Sequence, residues 1–344
     1  MRIELKQVIF PQSKSKIKAG DGKAEGKYKF FTSSPIQSKF VDEANYDKPS
    51  LIFGTGGNAS VHFCNEPFST STDCLVMYGR SKTELETIYN YLKSNIGILE
   101  NGFKGAGLKH ISKDYILAIE IDLPSEEIQL DFLQKNRIID GLIEAKQAQL
   151  HLSEELVKSR FIEMFGDPIT NSKGLRTNAL KDVLVLKAGD FTAASDISEE
   201  PTAEYQYPCY GGNGIRGYVA DYNQEGTYSL IGRQGALSGN IQYAQGRFRN
   251  TEHALLVTPI VAMNSIWLNQ LLVNLDLKRY QTGAAQPGLS VKNLQEIPII
   301  SVVLSEQNAF AAFVEQTDKS KFEIQKSLEK LETLKKALMQ KYFG

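Results

Sequence analysis

The stretch whose residue types come closest to a nucleotide-binding motif is Gly54-Thr55-Gly56-Gly57. Glycine-rich loops hold phosphate when a Lys-Ser/Thr pair follows them, or when the glycines have GxGxxG spacing at the start of a helix. Neither pattern is present at this stretch. We therefore do not expect the chain to bind a nucleotide.

Histidine and serine residues form no recognisable catalytic motif either. The sequence lacks the HExxH metal motif, the GxSxG nucleophile elbow and the Asn/Asp-Pro-Pro-Tyr/Phe sequence with which amino-methyltransferases hold a target amine. The four histidines are scattered along the chain, at His62, His110, His151 and His253. The sequence thus predicts a binding protein. An enzyme with a dispersed active site is an alternative that turnover by the purified chain alone would favour.

The composition of the chain excludes further classes of protein. With 344 residues, 42% of them hydrophobic, the chain has room for two or three domains with their own cores. No apolar run approaches the roughly 20 residues of a membrane helix, and the N-terminus lacks a signal-peptide core. Three cysteines without CxxC spacing (Cys64, Cys74 and Cys209) favour a reduced, cytoplasmic location. Because the net charge is −1, any nucleic-acid binding must come from local patches.

The residues that bind a ligand would be positioned by short strands and by helices of moderate length. Strands are predicted where β-rich runs lie between Gly, Asn, Pro and Ser clusters, at residues 50–53, 74–78, 115–121, 227–231, 254–258 and 299–303. Helical spacing of apolar residues predicts helices at residues 82–94 and 265–273. Residues 169–178 have the polar composition of a linker.

The chain contains an internal repeat with a period close to 178 residues. Residues 52–57 align with 230–235, and residues 158–166 with 336–344, each 178 positions later. With gaps, residues 105–112 align with 283–290, and residues 5–8 resemble 180–183. The landmarks keep their order, so the chain is predicted to be a tandem duplication.

A long helix is predicted after each half, at residues 125–166 and 305–344. Ser starts each segment and Gly ends it, as in helix caps, and each could span roughly 60 Å. Mixed three- and four-residue steps predict a coiled-coil seam. Its residues would be Ile128, Phe132, Ile139, Leu142, Leu152 and Leu156, facing Phe310, Phe313, Thr317, Ile324, Leu328, Leu331, Lys335 and Leu338.

We expect the two long helices to pair antiparallel, with Gly141 marking a close crossing. In the alternative interpretation, each helix packs only on its own domain. The predicted fold class is α+β, with two globular α/β domains at residues 1–124 and 167–303. Helices at residues 125–166 and 304–344 complete a pseudo-two-fold tandem repeat.

The doubled pattern resembles a known family, the specificity (S) subunits of type I restriction–modification systems. The resemblance covers essentially the whole chain. Its motifs are Phe-Gly at the end of both long helices and Gly-x-x-Gln-Pro-Gly-Leu-Ser at residues 283–290. The first half departs from it, with Gly-Leu-Lys-His-Ile-Ser at residues 107–112 and with Glu127 in place of Gln307. The short N-terminus is compatible with a permuted or shortened form of the family.

The resemblance implies a non-catalytic subunit that supplies DNA sequence recognition. Each globular domain would be a target recognition domain that reads one half of a split sequence in double-stranded DNA. The long helices would separate the half-sites and dock two methyltransferase (M) subunits. S-adenosylmethionine would be bound by those partners, and ATP and Mg by restriction (R) subunits. This chain would bind no cofactor and no metal.

Base reading needs hydrogen-bond donors and acceptors on loops, with cations near the phosphates. Arg can bind guanine O6/N7, and Gln or Asn can bind adenine, each worth about 1–3 kcal/mol of discrimination. In the second domain the candidates in a glycine-rich region are Arg216, Arg233, Gln234, Asn240, Arg247, Arg249 and Asn250. In the first domain they are Asn58, Ser60, His62, Lys104, Lys109 and His110, with Lys14, Lys16 and Lys18 as phosphate contacts.

Since the two halves differ, the expected DNA target is asymmetric. The competing hypothesis is a coiled-coil scaffold whose globular units bind protein or carbohydrate. Phosphate contacts make affinity fall steeply as salt rises, whereas the scaffold would bind almost independently of salt.

Overall fold

The computed structural model describes residues 2–105, 107, 109–283 and 287–344. These form two compact units. Unit 1 consists of Met1–Gln147 and Lys326–Gly344, and unit 2 consists of Ala148–Gln325. Each unit therefore contains one globular part together with segments of both long helices. Residues 106, 108 and 284–286, which belong to the aligned motifs at 105–112 and 283–290, lie outside the described residues.

The first half of the chain contains short strands, three short helices and one long helix. Its strands are β1 (Arg2–Glu4), β2 (Ile9–Pro11), β3 (Tyr28–Phe31), β4 (Lys39–Val41), β5 (Ser50–Gly54), β6 (Ser60–Cys64), β7 (Phe68–Thr70), β8 (Cys74–Gly79), β9 (Phe103–Lys104), β10 (His110–Ile111) and β11 (Glu120–Asp122). Its helices are α1 (Lys82–Ser94), α2 (Gly97–Glu100), α3 (Lys113–Leu117) and α4 (Glu126–Phe165). Single 3₁₀ turns lie at Leu5–Gln7 and Ala19–Asp21.

The second half follows the same plan. Its strands are β12 (Thr177–Ala179), β13 (Leu184–Ala188), β14 (Tyr207–Gly211), β15 (Gly214–Val219), β16 (Gln224–Gly232), β17 (Ile241–Asn250), β18 (Ala254–Pro259) and β19 (Pro298–Ile300). Its helices are α5 (Leu180–Val183), α6 (Ser265–Asn274), α7 (Val291–Leu294) and α8 (Leu304–Phe343). 3₁₀ turns lie at Ala194–Asp196 and Leu277–Tyr280.

Sheet topology confirms the duplication. The order β2-β8-β5-β6 in unit 1 matches β13-β18-β16-β17 in unit 2, and the pair β1-β11 matches β12-β19. Strand β3 runs parallel to β7, as β14 runs parallel to β17, and each continues into an antiparallel neighbour, β4 or β15. The two units therefore have the same fold.

One strand is divided in unit 1 and continuous in unit 2. Strand β17 pairs with β16 along its length and then with β14 at Cys209↔Arg249. In unit 1 these two roles fall to β6 and β7, with Asn65, Glu66 and Pro67 between them. Pro67 has no backbone N–H for a ladder. This break explains why unit 1 has separate four- and three-stranded sheets where unit 2 has one six-stranded sheet.

A helix covers the sheet in each unit. In unit 1, Ser81 caps α1 by accepting a hydrogen bond from the backbone N–H of Glu84 at 3.1 Å. The apolar face of α1 (Leu85, Ile88 and Leu92) joins Leu51, Phe53 and Met77 of the sheet in one buried cluster. In unit 2, α6 contributes Trp267, Leu268, Leu271 and Leu272 to the cluster that includes Ile231, Leu255 and Val257. Each fully buried side chain of this kind stabilises the fold by about 1.5–3 kcal/mol.

The two long helices pack against each other within both units. In unit 1, the ring of Phe132 lies 5.1 Å from Phe343 and 5.5 Å from Tyr342, and Asp140 forms an ion pair with Lys335. In unit 2, the ring of Phe161 lies 5.4 Å from that of Phe310. The start of α4 thus meets the end of α8, and the end of α4 meets the start of α8. The antiparallel pairing is confirmed, and the alternative of two separately packed helices is wrong.

Buried or half-buried positions recur every seven residues in both long helices. They are Gln129, Asn136, Ile143, Leu150, Val157 and Met164 in α4, and Gln307, Val314, Lys321, Leu328, Lys335 and Tyr342 in α8. Some of them face their own globular part, since Gln129 donates to Pro124 O and Gln307 donates to Val302 O, both at 2.8 Å.

The seam predicted for α4 was wrong at four residues. Ile128, Leu142, Leu152 and Leu156 are 44%, 46%, 64% and 52% exposed, whereas Phe132 and Ile139 are buried as predicted. The polar residues Gln129 and Asn136 are buried, and they donate to Pro124 O and to Asn90 Oδ1 of α1. Gly141 does not mark a close crossing, because a Cβ placed there would meet no atom within 4 Å.

Candidate nucleic-acid interface

Four segments of unit 2 come together beside the end of β16, and we call them the unit 2 loop cluster. They are residues 211–214, 233–240, 251–253, 277–283 and 287–289. Backbone hydrogen bonds join them: Arg233 N–H donates to His253 O at 3.0 Å, and Leu289 N–H donates to Arg233 O at 2.8 Å. The side chain of Asn240 donates to Asn213 Oδ1 at 2.8 Å.

Two glycines, Gly212 and Gly232, allow two of these segments to approach each other closely. A Cβ on Gly232 would lie 2.0 Å from the carbonyl oxygen of Gly212, so the two backbones meet without side chains between them. The turn at residues 211–214 is thereby held directly against the start of the loop at residues 233–240. The result is a surface built from several loops on one rigid sheet.

Four of the residues predicted in the second domain belong to this cluster or border it. Arg233 is half-buried, and among the described residues its guanidinium has no acidic partner. Gln234 is exposed, and Arg216 projects from β15 with its aliphatic part over Gly211. Asn240 is engaged by Asn213 and supports the loop. Arg233, Gln234 and Arg216 are therefore the best-placed candidates for contact with DNA.

The other three residues have structural partners. Arg247 pairs with Glu225 at 3.2 Å and lies over the ring of Tyr222 at 5.0 Å, and its hydrogen bond to Glu225 raises its pKa. Arg249 donates to Asp221 at 2.8 Å and to Thr192 at 3.0 Å. Asn250 is buried, and its backbone N–H donates to Asn223 at 2.7 Å. We do not include these three residues in the interface.

Unit 1 contains an equivalent unit 1 loop cluster, made of residues 33–37, 55–59, 71–73, 104, 105, 107, 109 and 110. Gly56 forms a β-bridge with His110, and Gln234 forms one with Gly288. Both members of the second bridge lie 178 positions after those of the first. Thr55 N–H likewise donates to Asp73 O at 2.9 Å, as Arg233 N–H does to His253 O.

Several candidates from the first domain lie in this cluster. Asn58 is exposed in the turn between β5 and β6, which places Gly57 at a φ of +78°. Lys104 and Lys109 are exposed on the β9–β10 hairpin, where His110 contacts the carbonyl of Thr55 at 3.0 Å. An amide and two cations are thus brought together at the loop surface.

The remaining candidates of unit 1 divide into buried residues and exposed lysines. Ser60 is 3% exposed and bonds to Ser33 O, so we exclude it from the interface. His62 is half-buried against Ser34 O at 2.9 Å, and burial lowers its pKa from the ordinary value of 6.5. The exposed residues Lys14, Lys16 and Lys18 lie in a segment that bridges to residue 71 through Ile17. They therefore flank the unit 1 loop cluster.

Two cations that were not predicted from the sequence also belong to the unit 2 loop cluster. Lys278 and Arg279 are exposed on the 3₁₀ turn Leu277–Tyr280, whose backbone lies against Gly239. Lys278 and Arg279 are consecutive cations that closely precede the Gly-x-x-Gln-Pro-Gly motif, and this sequence position could have identified them.

A second kind of surface lies on α4, facing away from the seam. In unit 1, Leu130, Ile138 and Leu142 are 53%, 56% and 46% exposed, and in unit 2, Leu152 and Leu156 are 64% and 52% exposed. Exposed apolar residues clustered on a helix are typical of protein–protein interfaces. Among the described residues, no helix is both long and apolar enough to cross a membrane.

Comparison with known proteins gives the family. The family model described as type I restriction modification DNA specificity domain matches residues 1–151 and 173–336. The chain is 39% identical over 143 residues to the type I restriction enzyme EcoprrI specificity subunit of Escherichia coli, covering 42% of this chain and 36% of the relative. It is also 34% identical over 103 residues to a putative type I restriction enzyme specificity subunit, S.HindORF215P, of Haemophilus influenzae, covering 29% and 27%. The matches thus span about a third of these relatives.

Solved structures share the fold along the whole chain. The S subunit of a type I restriction–modification system from M. genitalium superposes with a TM-score of 0.66 at 18% identity, covering 100% of this chain and 96% of the other. A chain from a study of complex assembly and conformational transition of the type I R-M system gives 0.58 at 16% identity, covering 100% and 97%. The resemblance seen in the sequence is confirmed, and the chain belongs to the type I restriction modification DNA specificity domain family.

Proposed function

We propose that the chain is a non-catalytic subunit that reads a split DNA sequence, with each unit reading one half-site. The observation that carries this proposal is the pair of equivalent loop clusters. Both are held by matching backbone contacts, Gly56↔His110 in unit 1 and Gln234↔Gly288 in unit 2, yet they present different side chains. A duplicated scaffold with unlike loop surfaces suits the recognition of two unlike sequences.

The chemistry of the loops supports DNA as the ligand. Arg233, Gln234 and Arg216 in unit 2 carry the donors and acceptors that base edges in the major groove require. Exposed Lys278 and Arg279 beside them, and Lys104 and Lys109 in unit 1, provide cations for phosphate oxygens. The net charge of −1 is an average over the whole chain and does not describe these local groups of cations.

The long helices would dock the enzymatic partners. The exposed apolar residues of α4 in each unit offer one surface for each of two methyltransferase subunits, to which restriction subunits would be added. In this arrangement S-adenosylmethionine belongs to the methyltransferase, and ATP and Mg belong to the restriction subunit. The chain itself holds no cofactor and acts in the cytoplasm, where its DNA lies.

Mapping of methylated adenines tests the proposal. The chain is expressed with its methyltransferase partner in a host without other adenine methylation, and methylated positions are read by sequencing. We expect a motif of two separated, unlike half-sites that disappears when the chain is omitted. A palindromic motif would contradict the unlike half-sites, and the absence of any motif would contradict the whole proposal.

Loop substitutions then assign the half-sites. Replacing Arg233 and Gln234 with alanine is expected to change one half of the motif only, and replacing Lys104 and Asn58 the other half only. Arg247→Ala serves as the matched control, because its guanidinium is already engaged by Glu225.

A further inference from the structure

The loop between β16 and β17 in unit 2 is longer than the equivalent loop between β5 and β6 in unit 1. Both loops contain a glycine with a φ of +78°, Gly57 in unit 1 and Gly235 in unit 2, and these glycines are 178 positions apart. After the glycine, residues 58–59 lead into β6, whereas residues 236–240 lead into β17. Unit 2 thus has five residues where unit 1 has two.

The longer segment of unit 2 is a tight turn held by the main chain. Ser238 N–H donates to Gly235 O at 3.0 Å, and Gly239 N–H donates to Gly232 O, at the end of β16, at 2.7 Å. The side chain of Gln281, from the neighbouring segment, donates to the carbonyl oxygen of Ser238 at 2.5 Å. The residues between Gly235 and Ser238 therefore form a tip in a defined position.

This tip is apolar and its surroundings are not. Ala236 and Leu237 are both exposed, and Leu237 is 42% exposed. Arg233 and Gln234 precede the tip, and exposed Lys278 lies on the 3₁₀ turn whose backbone packs against the same loop. An apolar tip beside cations and an amide suits a ligand that offers an apolar group next to anions and hydrogen-bonding edges. The major groove of DNA offers such a group in the 5-methyl of thymine.

We propose that Leu237 contacts the 5-methyl group of a thymine in the half-site read by unit 2, an inference that rests on the proposed function. Apolar side chains recognise thymine through this methyl group, which no other standard base carries. The half-site of unit 2 must therefore contain at least one specified A·T base pair. In unit 1 the equivalent glycine is followed by the exposed polar residue Asn58, so methyl recognition by this loop belongs to unit 2.

Deoxyuridine tests the contact directly, because it pairs with adenine and differs from thymidine only by the missing methyl group. The chain, in complex with its methyltransferase subunits, is titrated with fluorescent duplexes that carry its motif. Each thymine of the unit 2 half-site, on either strand, is replaced singly by deoxyuridine. We expect one of these replacements to weaken binding about fourfold, which is the effect of losing one buried methyl group.

Two substitutions of Leu237 form a matched pair for the same titrations. Leu237→Asn is similar in size but polar, and Leu237→Met keeps an apolar side chain. Because Leu237 is exposed at the tip of a turn that the main chain holds, both variants should fold, and thermal unfolding checks this. We expect the ratio of affinities for thymine and deoxyuridine duplexes to fall to about one in Leu237→Asn and to be retained in Leu237→Met. The ratio isolates the methyl contact from a general loss of affinity.

Several results would overturn the role of Leu237. They are a unit 2 half-site without a specified A·T base pair, no thymine whose replacement weakens binding, and the same thymine-to-deoxyuridine ratio in Leu237→Asn as in the unsubstituted chain. A loss of methyltransferase binding in Leu237→Asn would show that the tip docks a protein, and would overturn it too. If the unsubstituted chain selects no sequence at all, the proposed function itself fails. A selected motif that is insensitive to deoxyuridine refutes this inference alone.

Discussion

Gly232 approaches Gly212 so closely that a Cβ on Gly232 would lie 2.0 Å from the Gly212 carbonyl oxygen. Because the obstructing atom belongs to the backbone, a side chain there must displace one of the two segments. We expect Gly232→Ala to destabilise unit 2 by about 1–3 kcal/mol, as overpacking does, and to weaken DNA binding. Thermal unfolding and DNA titration measure both effects. Gly141→Ala is the control, since it faces open space in α4 and should leave stability equal or up to about 1 kcal/mol higher.

The aromatic contact between the long helices in unit 1 should be a major source of stability. Phe132 is fully buried against Phe343 and Tyr342, so Phe132→Ala leaves a cavity and is expected to cost about 3–5 kcal/mol. Leu142→Ala on the exposed face of α4 should change the free energy of unfolding by no more than about 0.5 kcal/mol. Urea denaturation measures the free energy of unfolding of both variants. An equal loss of stability in Phe132→Ala and Leu142→Ala would contradict the packing of Phe132 between the long helices.

Acid should destabilise unit 1 in part through His62. Burial lowers the pKa of His62 below its ordinary value of 6.5, so the folded state keeps the ring neutral where the unfolded chain binds a proton. The stabilisation is complete above about pH 6.5 and is lost as the pH falls towards the folded-state pKa. We expect His62→Gln to flatten the fall in stability between pH 7.5 and 5.5. An NMR titration that places the His62 pKa at or above 6.5 would refute this explanation.

The salt dependence of DNA binding should differ between variants of Arg233, which has no acidic partner among the described residues, and of Arg247, which is paired with Glu225. Arg233→Ala should weaken binding to the target by about tenfold, and if it contacts phosphate it should also lower the salt slope by about one. Arg247→Ala should leave both nearly unchanged. Affinities are measured by fluorescence anisotropy from 50 to 200 mM salt, and a target affinity that does not change over this range would favour the scaffold hypothesis instead.

Local signals in the sequence predicted the framework well. The Ser and Gly cap residues located both long helices, and the 178-residue repeat anticipated the equivalent sheets of the two units. Helix α1 has the predicted bounds, Lys82–Ser94. These features depend on residues close together in the chain, or on landmarks that the duplication keeps in order.

Features that depend on tertiary context were predicted less well. Residues 115–121 were expected to form a strand, yet Ser112 caps the short helix α3 by accepting from Tyr115 N–H at 3.1 Å, and only residues 120–122 are extended. The seam of α4 was predicted from apolar residues alone, yet the apolar Leu142 is exposed and the polar Gln129 and Asn136 are buried. Arg247 and Arg249 have the same residue type as Arg233, and only the positions of Glu225 and Asp221 in the fold distinguish them.

The bonds that secure the loop at residues 233–240 come mainly from the main chain, such as those of Arg233 to His253 and Leu289. Main-chain bonds do not depend on which side chain is present at a position. Mutations that alter the side chains of this loop can therefore accumulate without unfolding it. The same scaffold could in this way acquire new target sequences over evolution, one amino-acid exchange at a time.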